Sequence, residues 1–374
     1  MDPGPSHAVT VAQSVDRTLA ADVRALVDLP GFPTAAMDGW VVAGEGPWVI
    51  VGTIDTGVPA ARELSSGQAM RIATGGSIPA GGTAVVPWEI ASAERGILTA
   101  DLPQKAHIRP RGEECSRGDL VARRGDRVNP ALAGLIAAAG LDRVEVFVPP
   151  RIAVLVLGDE VIATGLPGDG QVRDALGVQL PGWIEAFGGH TASVAAVPDE
   201  PDALVDSLRH VVQDVDVVIA TGGTARGHRD FLRGALDGLR AEVLVDGVAV
   251  RPGHPMMLTL IDRTPIVGLP GNPLSALVAL VTLVEPLLGS WHGRTPRALP
   301  RVQMADAVPP SSKELTRLMV GRRELGGFRQ VAHVSSAMLR GIAHADGWAV
   351  IPSTGVTPGE VVPWIPVPWA RNTA

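Results

Sequence analysis

Between Pro149-Pro150 and Trp291 the sequence alternates between short apolar runs and helical segments, and this alternation constrains the fold more than any other feature. Predicted strands at 152–157, 193–197, 215–220 and 243–250 are separated by predicted helices near 183–187, at 201–212 and near 231–239. Strands joined through helices pair in parallel, so we expect a parallel sheet with helices on both faces. The sequence therefore predicts a three-layer α/β domain. We expect its first helix to begin or to kink at Pro181.

The segments on either side of this domain are predicted to be rich in β-structure. Apolar runs at 48–51, 84–87 and 97–100 alternate with glycine-rich turns, as in a small β domain. Residues 8–30 show a short strand-and-helix pattern, and Asn129 can cap a helix at 130–139. A proline- and arginine-rich linker after Trp291 leads to a second β module at 302–367. The expected fold class is α/β plus β, in several domains.

The composition argues against several classes of function. The 374-residue chain has a formal net charge of −7, whereas nucleic-acid binding requires clustered positive charge. Cys115 is the only cysteine, so no internal disulfide can form, and no Cys/His spacing typical of a zinc site occurs. The apolar stretch at 274–284 is shorter than the roughly 20 residues that cross a bilayer, and the N-terminus lacks a signal-peptide pattern. We therefore expect a cytoplasmic protein that binds neither nucleic acid nor membrane.

Acidic residues and a glycine pair follow three of the predicted strands. Asp159 and Glu160 follow the first strand, Asp199 follows the second, and Thr221-Gly222-Gly223 follows the third, with Asp230 a little further on. The ends of parallel strands open on one edge of a sheet, where carboxylates and a glycine loop suit a phosphorylated ligand held with Mg²⁺. Each feature also has a structural explanation, as a helix cap, a first-turn acid or a plain turn. Their joint position favours the functional interpretation.

Glycine and proline are concentrated again at 268–276, where a predicted strand at 265–269 turns into a helix that begins near Leu274. A helix N-terminus carries free N–H groups and partial positive charge, so it favours an anion. The Pro270-Gly271-Asn272-Pro273 turn is therefore a candidate anion site. The alternative is a rigid loop that only turns the chain.

Eight short segments, in order along the chain, carry a resemblance to a known family. They are AMDGW at 36–40, RIATG at 71–75, RGEE at 111–114, LGDE at 157–160, DGQVRD at 169–174, TGG at 221–223, RPGHP at 251–255 and GLPGNP at 268–273. This series resembles the motifs of the MoeA family, the molybdopterin molybdenumtransferases, which are related to the E domain of gephyrin. The resemblance covers the chain from about Val9 to Val367.

The resemblance implies a homodimer of elongated subunits. It implies an N-terminal composite region at 1–148 with an inserted small β domain at about 41–108, an α/β molybdopterin-binding domain at 149–292 and a C-terminal β-barrel-like domain at 299–374. In such proteins the active site lies between the α/β domain of one subunit and the N-terminal β region of the other.

The resemblance also implies a reaction, in which molybdenum from molybdate is inserted into adenylylated molybdopterin and AMP is released with the help of Mg²⁺. The expected upstream partner is a molybdopterin adenylyltransferase. Carried onto this sequence, the catalytic residues are Asp38, Thr74, Glu160, Asp199 and Asp230, of which Asp199 and Asp230 hold the metal. The residues expected to bind the molybdopterin group are Asp174, Gly222, Gly223, Arg251, His254, Pro270, Gly271, Asn272, Pro273 and Ser275.

The chain departs from the family pattern at several binding positions. It has Ala175-Leu176 where Ser-Asn is usual, Arg251 and His254 replace lysines, and a third lysine is absent. Three hypotheses remain: a working molybdenum-inserting enzyme, a catalytically impaired paralogue that binds molybdopterin or nucleotide or scaffolds a partner, and a nucleotide-binding protein outside cofactor synthesis. AMP release distinguishes the first from the second, and pterin binding distinguishes both from the third.

Overall fold

The computed structural model describes residues 2–59, 62–224, 231–295 and 298–370, and the chain divides into two compact units. One unit contains His7–Val146, and the other contains Met1–Ser6 together with Phe147–Ala374. The division falls close to Pro149-Pro150, where the sequence pattern changes.

The His7–Val146 unit is built mainly from short strands around one six-stranded sheet, which confirms the predicted β-rich N-terminal region. The strands are β1 (Ser6–Thr10), β2 (Val23–Arg24), β3 (Thr34–Ala35), β4 (Gly39–Val42), β5 (Trp48–Ile54), β6 (Gln68–Ile72), β7 (Ala84–Pro87), β8 (Ser92–Glu94), β9 (Ile97–Thr99), β10 (Ile108–Arg109), β11 (Leu120–Ala122) and β12 (Arg143–Phe147). The sheet order is β7-β4-β6-β5-β9-β8, and β1 pairs with β12, β2 with β11 and β3 with β10.

Helical structure in this unit follows its capping signals. Helix α1 (Pro130–Ala138) begins as predicted, because the Asn129 side chain accepts a hydrogen bond from the Leu132 N–H at 2.8 Å and Pro130 needs no donor at the first helical position. The prediction of a helix within 8–30 is wrong, since the helical structure of that segment is limited to a 3₁₀ turn at Ala12–Ser14. A second 3₁₀ turn spans Trp88–Ile90.

The other unit contains a second six-stranded sheet, covered by helices. The strands from Arg151 to Leu269, of which six form this sheet, are β13 (Arg151–Leu157), β14 (Val161–Ile162), β15 (Val172–Arg173), β16 (His190–Val197), β17 (Val217–Thr221), β18 (Glu242–Asp246), β19 (Val250–Arg251), β20 (Met257–Ile261) and β21 (Thr264–Leu269). Its helices are α2 (Leu176–Ala186), α3 (Pro201–Val211), α4 (Phe231–Gly238), α5 (Pro273–Ala279), a π-helical turn at Leu280–Val284 and α6 (Glu285–Trp291). The sheet order is β16-β13-β17-β21-β20-β18, and β14 pairs with β15.

The sheet is mixed, whereas the sequence pattern predicted parallel pairing. Strands β16, β13, β17 and β21 are parallel, but at one edge β20 pairs antiparallel with both β21 and β18. The connection from β20 to β21 is only Asp262-Arg263, too short for the helical crossover that parallel strands require. The predicted strand at 243–250 is also divided, into β18 and β19.

Alternate residues of the central strands face two separate helical layers, which confirms the three-layer α/β prediction. Val154 and Ile219 pack with α2 and α5, whereas Leu155 and Val218 pack with α3 and α4. Helix α2 begins at Leu176 and continues through Pro181, so the prediction that it begins at Pro181 is wrong. Burial of the Leu180 side chain on this helix helps to offset the loss of the backbone hydrogen bond that Pro181 cannot donate.

The apolar helical stretch at the end of this domain extends beyond the 274–284 segment predicted from the sequence. The helical run Pro273–Trp291 has 19 residues and a mean hydropathy of 1.7, so among the described residues it is the one helix long and apolar enough to cross a membrane. However, 72% of its apolar window is buried inside the structure. It therefore serves as a core helix of the α/β layers.

The C-terminal segment forms a β domain joined to the preceding one by a strand pair. Its strands are β22 (Arg301–Gln303), β23 (Thr316–Glu324), β24 (Gly327–Gln330), β25 (Gly347–Ile351) and β26 (Val361–Pro366). The sheet order is β19-β23-β25-β26-β22, with β24 paired to β23. The fold class α/β plus β is confirmed.

Candidate functional site

Three parallel strands end together at one edge of the α/β sheet, and glycine backbone lines that edge. Thr221 of β17 pairs with Val156 of β13 and with Leu269 of β21. The N–H of Gly222 donates to the Leu269 carbonyl at 2.8 Å, and a Cβ built on Gly271 would lie only 3.7 Å from the Gly222 Cα. No side chain separates these backbones, so a ligand can approach main-chain N–H groups closely.

The predicted carboxylates Glu160 and Asp199 lie at the ends of neighbouring strands, β13 and β16. The Asp159 carboxylate accepts a hydrogen bond from the Asp199 N–H at 3.1 Å, which ties the two strand ends together. A Cβ on Gly158 would lie 3.0 Å from a carboxylate oxygen of Glu160, so the Glu160 side chain folds back over the end of β13. The predicted convergence of strand ends is therefore present in the α/β domain.

The predicted Mg²⁺ ligands are only partly within the described residues. Asp230 lies outside them, and no group of three or more His, Cys, Asp or Glu side chains that could hold a metal occurs among the residues described. Mg²⁺ is commonly bound by one or two carboxylates together with substrate phosphates. Asp199, with Asp159 beside it, fits that kind of donor set.

Asp174 has a structural task at the start of α2. Its carboxylate accepts a hydrogen bond from the Gly177 N–H at 2.7 Å, and a Cβ on Gly177 would clash with the same carboxylate. The neighbouring Ala175 lines an apolar cavity of about 400 Å³ whose walls include Trp183 and Trp369. Ala175, which replaces the serine of the family's Ser-Asn pair, thus provides apolar surface.

The N-terminus of α5 does not carry the free N–H groups that the sequence predicted. The N–H groups of Leu274 and Ser275 both donate to the Ser336 carbonyl, at 2.9 and 3.3 Å. Pro273 has no N–H, so this one carbonyl caps the N–H groups of the first turn that lack a partner within the helix. Of the predicted residues in this segment, Gly271 and Asn272 are exposed beside Gly222, whereas Pro270 and Ser275 are buried.

Arg251 lines a second cavity, of about 330 Å³, together with Arg317 and Gln330. The two arginines lie side by side as paired residues of the parallel strands β19 and β23. Arg317 donates from Nη2 to the Pro309 carbonyl at 2.5 Å, while its buried Nε has no hydrogen-bond partner among the described residues. Two guanidinium groups with no lining carboxylate make this cavity suited to an oxyanion.

His254 and Ser275 lie near this arginine cavity through the loop that follows β19. Gly253 has φ of +105°, and a Cβ on it would lie 3.0 Å from the Ser275 carbonyl oxygen, so glycine is required for this close approach. The exposed His254 donates from Nδ1 to the Val248 carbonyl at 2.7 Å. The structure therefore brings Arg251, His254 and Ser275 to one region of the α/β domain.

Asp38 and Thr74, distant in sequence, form a hydrogen-bonded pair in the His7–Val146 unit. The Thr74 N–H donates to Asp38 Oδ1 at 2.6 Å, and the Thr74 hydroxyl donates to the same oxygen at 2.8 Å. The hydrogen bond from the backbone N–H, followed by that from the hydroxyl, lowers the pKa of Asp38. Glu160 and Asp199 belong to the other unit.

Sequence reasoning missed Arg317, Gln330 and Ser336. All three lie in the C-terminal β domain, which showed no motif of its own. Their relation to the site depends on the β19–β23 pairing and on the Ser336 cap, which join residues far apart in the chain. A local pattern could not reveal such contacts. The available signal was the arginine-rich character of the segment after Trp291.

The sequence of this chain is similar to those of molybdenum cofactor proteins. Residues 3–140 match the model of the MoeA N-terminal region (domain I and II), and residues 153–290 match a probable molybdopterin binding domain. Molybdopterin molybdenumtransferase 2 of Mycobacterium tuberculosis is 30% identical over 367 residues, which cover 92% of this chain and 90% of the relative. The molybdopterin molybdenumtransferase of Haemophilus influenzae is 29% identical over 301 residues, covering 78% and 74%.

A solved structure has the same architecture. The molybdopterin biosynthesis MoeA protein from Pyrococcus horikosii superposes with a TM-score of 0.77 at 26% identity, covering 98% of this chain and 95% of that one. The fold and the strand-end site thus define a protein built around a molybdopterin-binding type of α/β domain. The chain belongs to the MoeA family.

We predict that replacing Thr74→Val raises the pKa of Asp38, because one of its two hydrogen bonds is lost. A carboxylate whose folded-state pKa is depressed stabilises the fold above its unfolded-state pKa, and the contribution disappears as pH falls through the folded-state value. The stability difference between wild type and Thr74→Val should therefore be present at neutral pH and vanish in acid.

Carboxyl ¹³C NMR titration and urea denaturation at several pH values measure both effects. Thr74→Ser retains the hydroxyl donor and is the control. An Asp38 pKa that is the same in wild type and Thr74→Val would contradict this prediction.

We predict that Gly271→Ala weakens binding of AMP, used as a phosphate-bearing probe, without unfolding the protein. The added Cβ makes only ordinary contact with Gly222, yet it occupies the surface that a ligand must approach. The expected increase in Kd is roughly 5-fold to 150-fold, the range typical of an added methyl in a packed contact. Calorimetric titration measures it.

The matched control is Gly234→Ala on α4, where nothing lies within 4 Å of an added Cβ. Both variants should remain folded, and Gly234→Ala should raise the melting temperature slightly because alanine favours the helix more than glycine does. Equal AMP affinity in Gly271→Ala and Gly234→Ala would exclude this edge as the binding surface.

Proposed function

We propose that this chain is a molybdopterin molybdenumtransferase, which inserts molybdenum from molybdate into adenylylated molybdopterin and releases AMP. The observation that carries the proposal is the meeting of the glycine-lined ends of β13, β17 and β21 with the carboxylates Glu160 and Asp199. Such an edge accepts phosphate groups and supplies acids at the same place. Relatives that span most of the chain carry this activity in their names.

The two anionic substrates call for two kinds of binding surface. The main chain around Gly222 and Gly271 suits the phosphates of adenylylated molybdopterin, because it offers N–H groups and no side-chain bulk. The cavity lined by Arg251 and Arg317 suits molybdate, a tetrahedral oxyanion, because the Nε of Arg317, which has no partner in the described part of the chain, is a donor that an oxyanion satisfies.

Glu160 is proposed to accept a proton from the water that cleaves the phosphoanhydride bond, so that AMP leaves with one of the two phosphates. Asp199, with Asp159 tied to its backbone, would hold Mg²⁺ together with substrate phosphate oxygens. Bound Mg²⁺ supplies charge neutralisation at the phosphates. Asp38 takes both Thr74 hydrogen bonds on Oδ1, so its Oδ2 can accept a donor of the substrate.

We also propose that the protein is a cytoplasmic homodimer that receives its substrate from a molybdopterin adenylyltransferase. The dimer is supported by the resemblance of the motif series, and sedimentation at twice the mass of the chain would test it. The negative net charge supports the absence of a nucleic-acid partner.

The direct test is incubation of the purified chain with adenylylated molybdopterin, molybdate and Mg²⁺. We expect AMP release, loss of the reaction when Mg²⁺ is chelated, and a kcat about 100-fold lower in Glu160→Gln. Glu185→Gln, which removes an exposed acid from α2, is the matched control and should retain full activity. Absence of AMP release by wild type at any molybdate concentration would refute the proposal.

A second candidate function is a catalytically impaired paralogue that binds molybdopterin or nucleotide, or scaffolds a partner. One observation favours it: Leu176, at a position usually occupied by asparagine, is 6% exposed and packs into the α/β core, so it offers no hydrogen bond to a ligand. This function predicts that AMP or molybdopterin binds while AMP is never released.

A further inference from the structure

Arg71, Trp88 and Trp40 form a stack in the His7–Val146 unit that the proposed chemistry has not used. Trp40 on β4 is paired with Arg71 on β6. The Trp40 and Trp88 rings are 4.9 Å apart between centroids, with 41° between their planes. The Arg71 guanidinium carbon lies 4.4 Å from the centroid of the Trp88 ring. This geometry is a cation–π contact with the Trp88 ring, which also contacts a second aromatic ring, that of Trp40.

The stack fixes a positive charge without neutralising it. The Arg71 side chain is exposed and forms no hydrogen bond or ion pair with any residue in the described ranges. Arg111 in the same unit differs, because its Nε is bonded to the Asp28 carboxylate at 2.5 Å. A guanidinium held by a ring face keeps its N–H donors available and loses less side-chain entropy when it binds a ligand.

The available charge and the Asp38–Thr74 pair belong to the same six-stranded sheet. Asp38 immediately precedes β4, and Thr74 follows two residues after β6, so the same two strands carry the pair and the stack. Trp88 directly follows β7, the other neighbour of β4. Three adjacent strands, β6, β4 and β7, thus carry or adjoin both a fixed cation and a hydrogen-bonded carboxylate.

We propose that Arg71 binds a phosphate oxygen of the adenylylated substrate, and that Trp88 is a positioning residue that holds the Arg71 guanidinium. Guanidinium and phosphate form charge-assisted, often bidentate, hydrogen bonds. The carboxylate of Asp38 would repel the same phosphate, and the Arg71 charge offsets that repulsion. This inference rests on the proposed function and extends it to a binding group in the N-terminal unit.

The first test compares Arg71→Gln with wild type in AMP release. KM for adenylylated molybdopterin is expected to rise roughly 10-fold to 100-fold, the cost of losing a hydrogen bond between charged groups, while kcat changes little. Arg95→Gln removes the same charge from the β8–β9 turn of the same sheet and is the control. Equal KM values in the two variants would overturn the assignment of Arg71.

The second test is a double-mutant cycle. Trp88→Ala is expected to raise KM about 2-fold to 5-fold, as for a cation–π contact at an exposed site, and Trp88→Phe should recover most of the loss. In the Arg71→Gln background Trp88→Ala should cost nothing more, because Trp88 acts through Arg71. An undiminished effect of Trp88→Ala in that background would show a merely structural role and refute the positioning assignment.

These outcomes are separate from those that test the proposed function. If wild type releases AMP and KM is unaffected by Arg71→Gln, the inference fails and the function stands. If wild type releases no AMP, the proposed function fails, and the same variants are compared by the Kd for AMP in calorimetric titration. A Kd unchanged in Arg71→Gln then refutes the inference independently.

Discussion

Parallel hydrogen bonding of β13, β17 and β21 is the constraint on which the candidate site depends. The register places Val156, Thr221 and Leu269 side by side, so three chain segments leave the sheet at one edge. The segments then fit together because Gly222 and Gly271 have no side chains to separate their backbones. Gly222 has φ of +88°, a conformation that other residues rarely adopt. Glycine is therefore needed both for the turn and for the open backbone surface that a ligand approaches.

A second constraint joins the α/β domain to the C-terminal β domain. Pairing of β19 with β23 sets Arg251 opposite Arg317, and the Ser336 carbonyl caps α5. The N–H groups at the start of α5 are hydrogen-bonded by the protein itself and are not available to an anion. The cavity lined by Arg251 and Arg317, which has no acidic residue in its lining, is instead suited to an oxyanion.

Most of the fold could be predicted because its signals are local. The strands that lead to Glu160 and Thr221, and the Asn129 cap of α1, follow from apolar patterns and capping chemistry. The antiparallel edge and the continuation of α2 through Pro181 were missed, since short connections and tertiary burial outweighed the local pattern. The position of Arg317, and in the other unit the Arg71–Trp88 contact, could not be predicted, because each depends on a partner elsewhere in the chain.

The central claim is that the three glycine-lined strand ends bind the phosphate-bearing substrate. Hydrogen–deuterium exchange of the wild-type chain, with and without saturating AMP and Mg²⁺, tests it without any substitution. The account predicts slower exchange of backbone amides at 157–160, 221–223 and 268–272, with no change in the distant edge strand β18. Binding of AMP with protection confined to other segments, and none at these three, would contradict it.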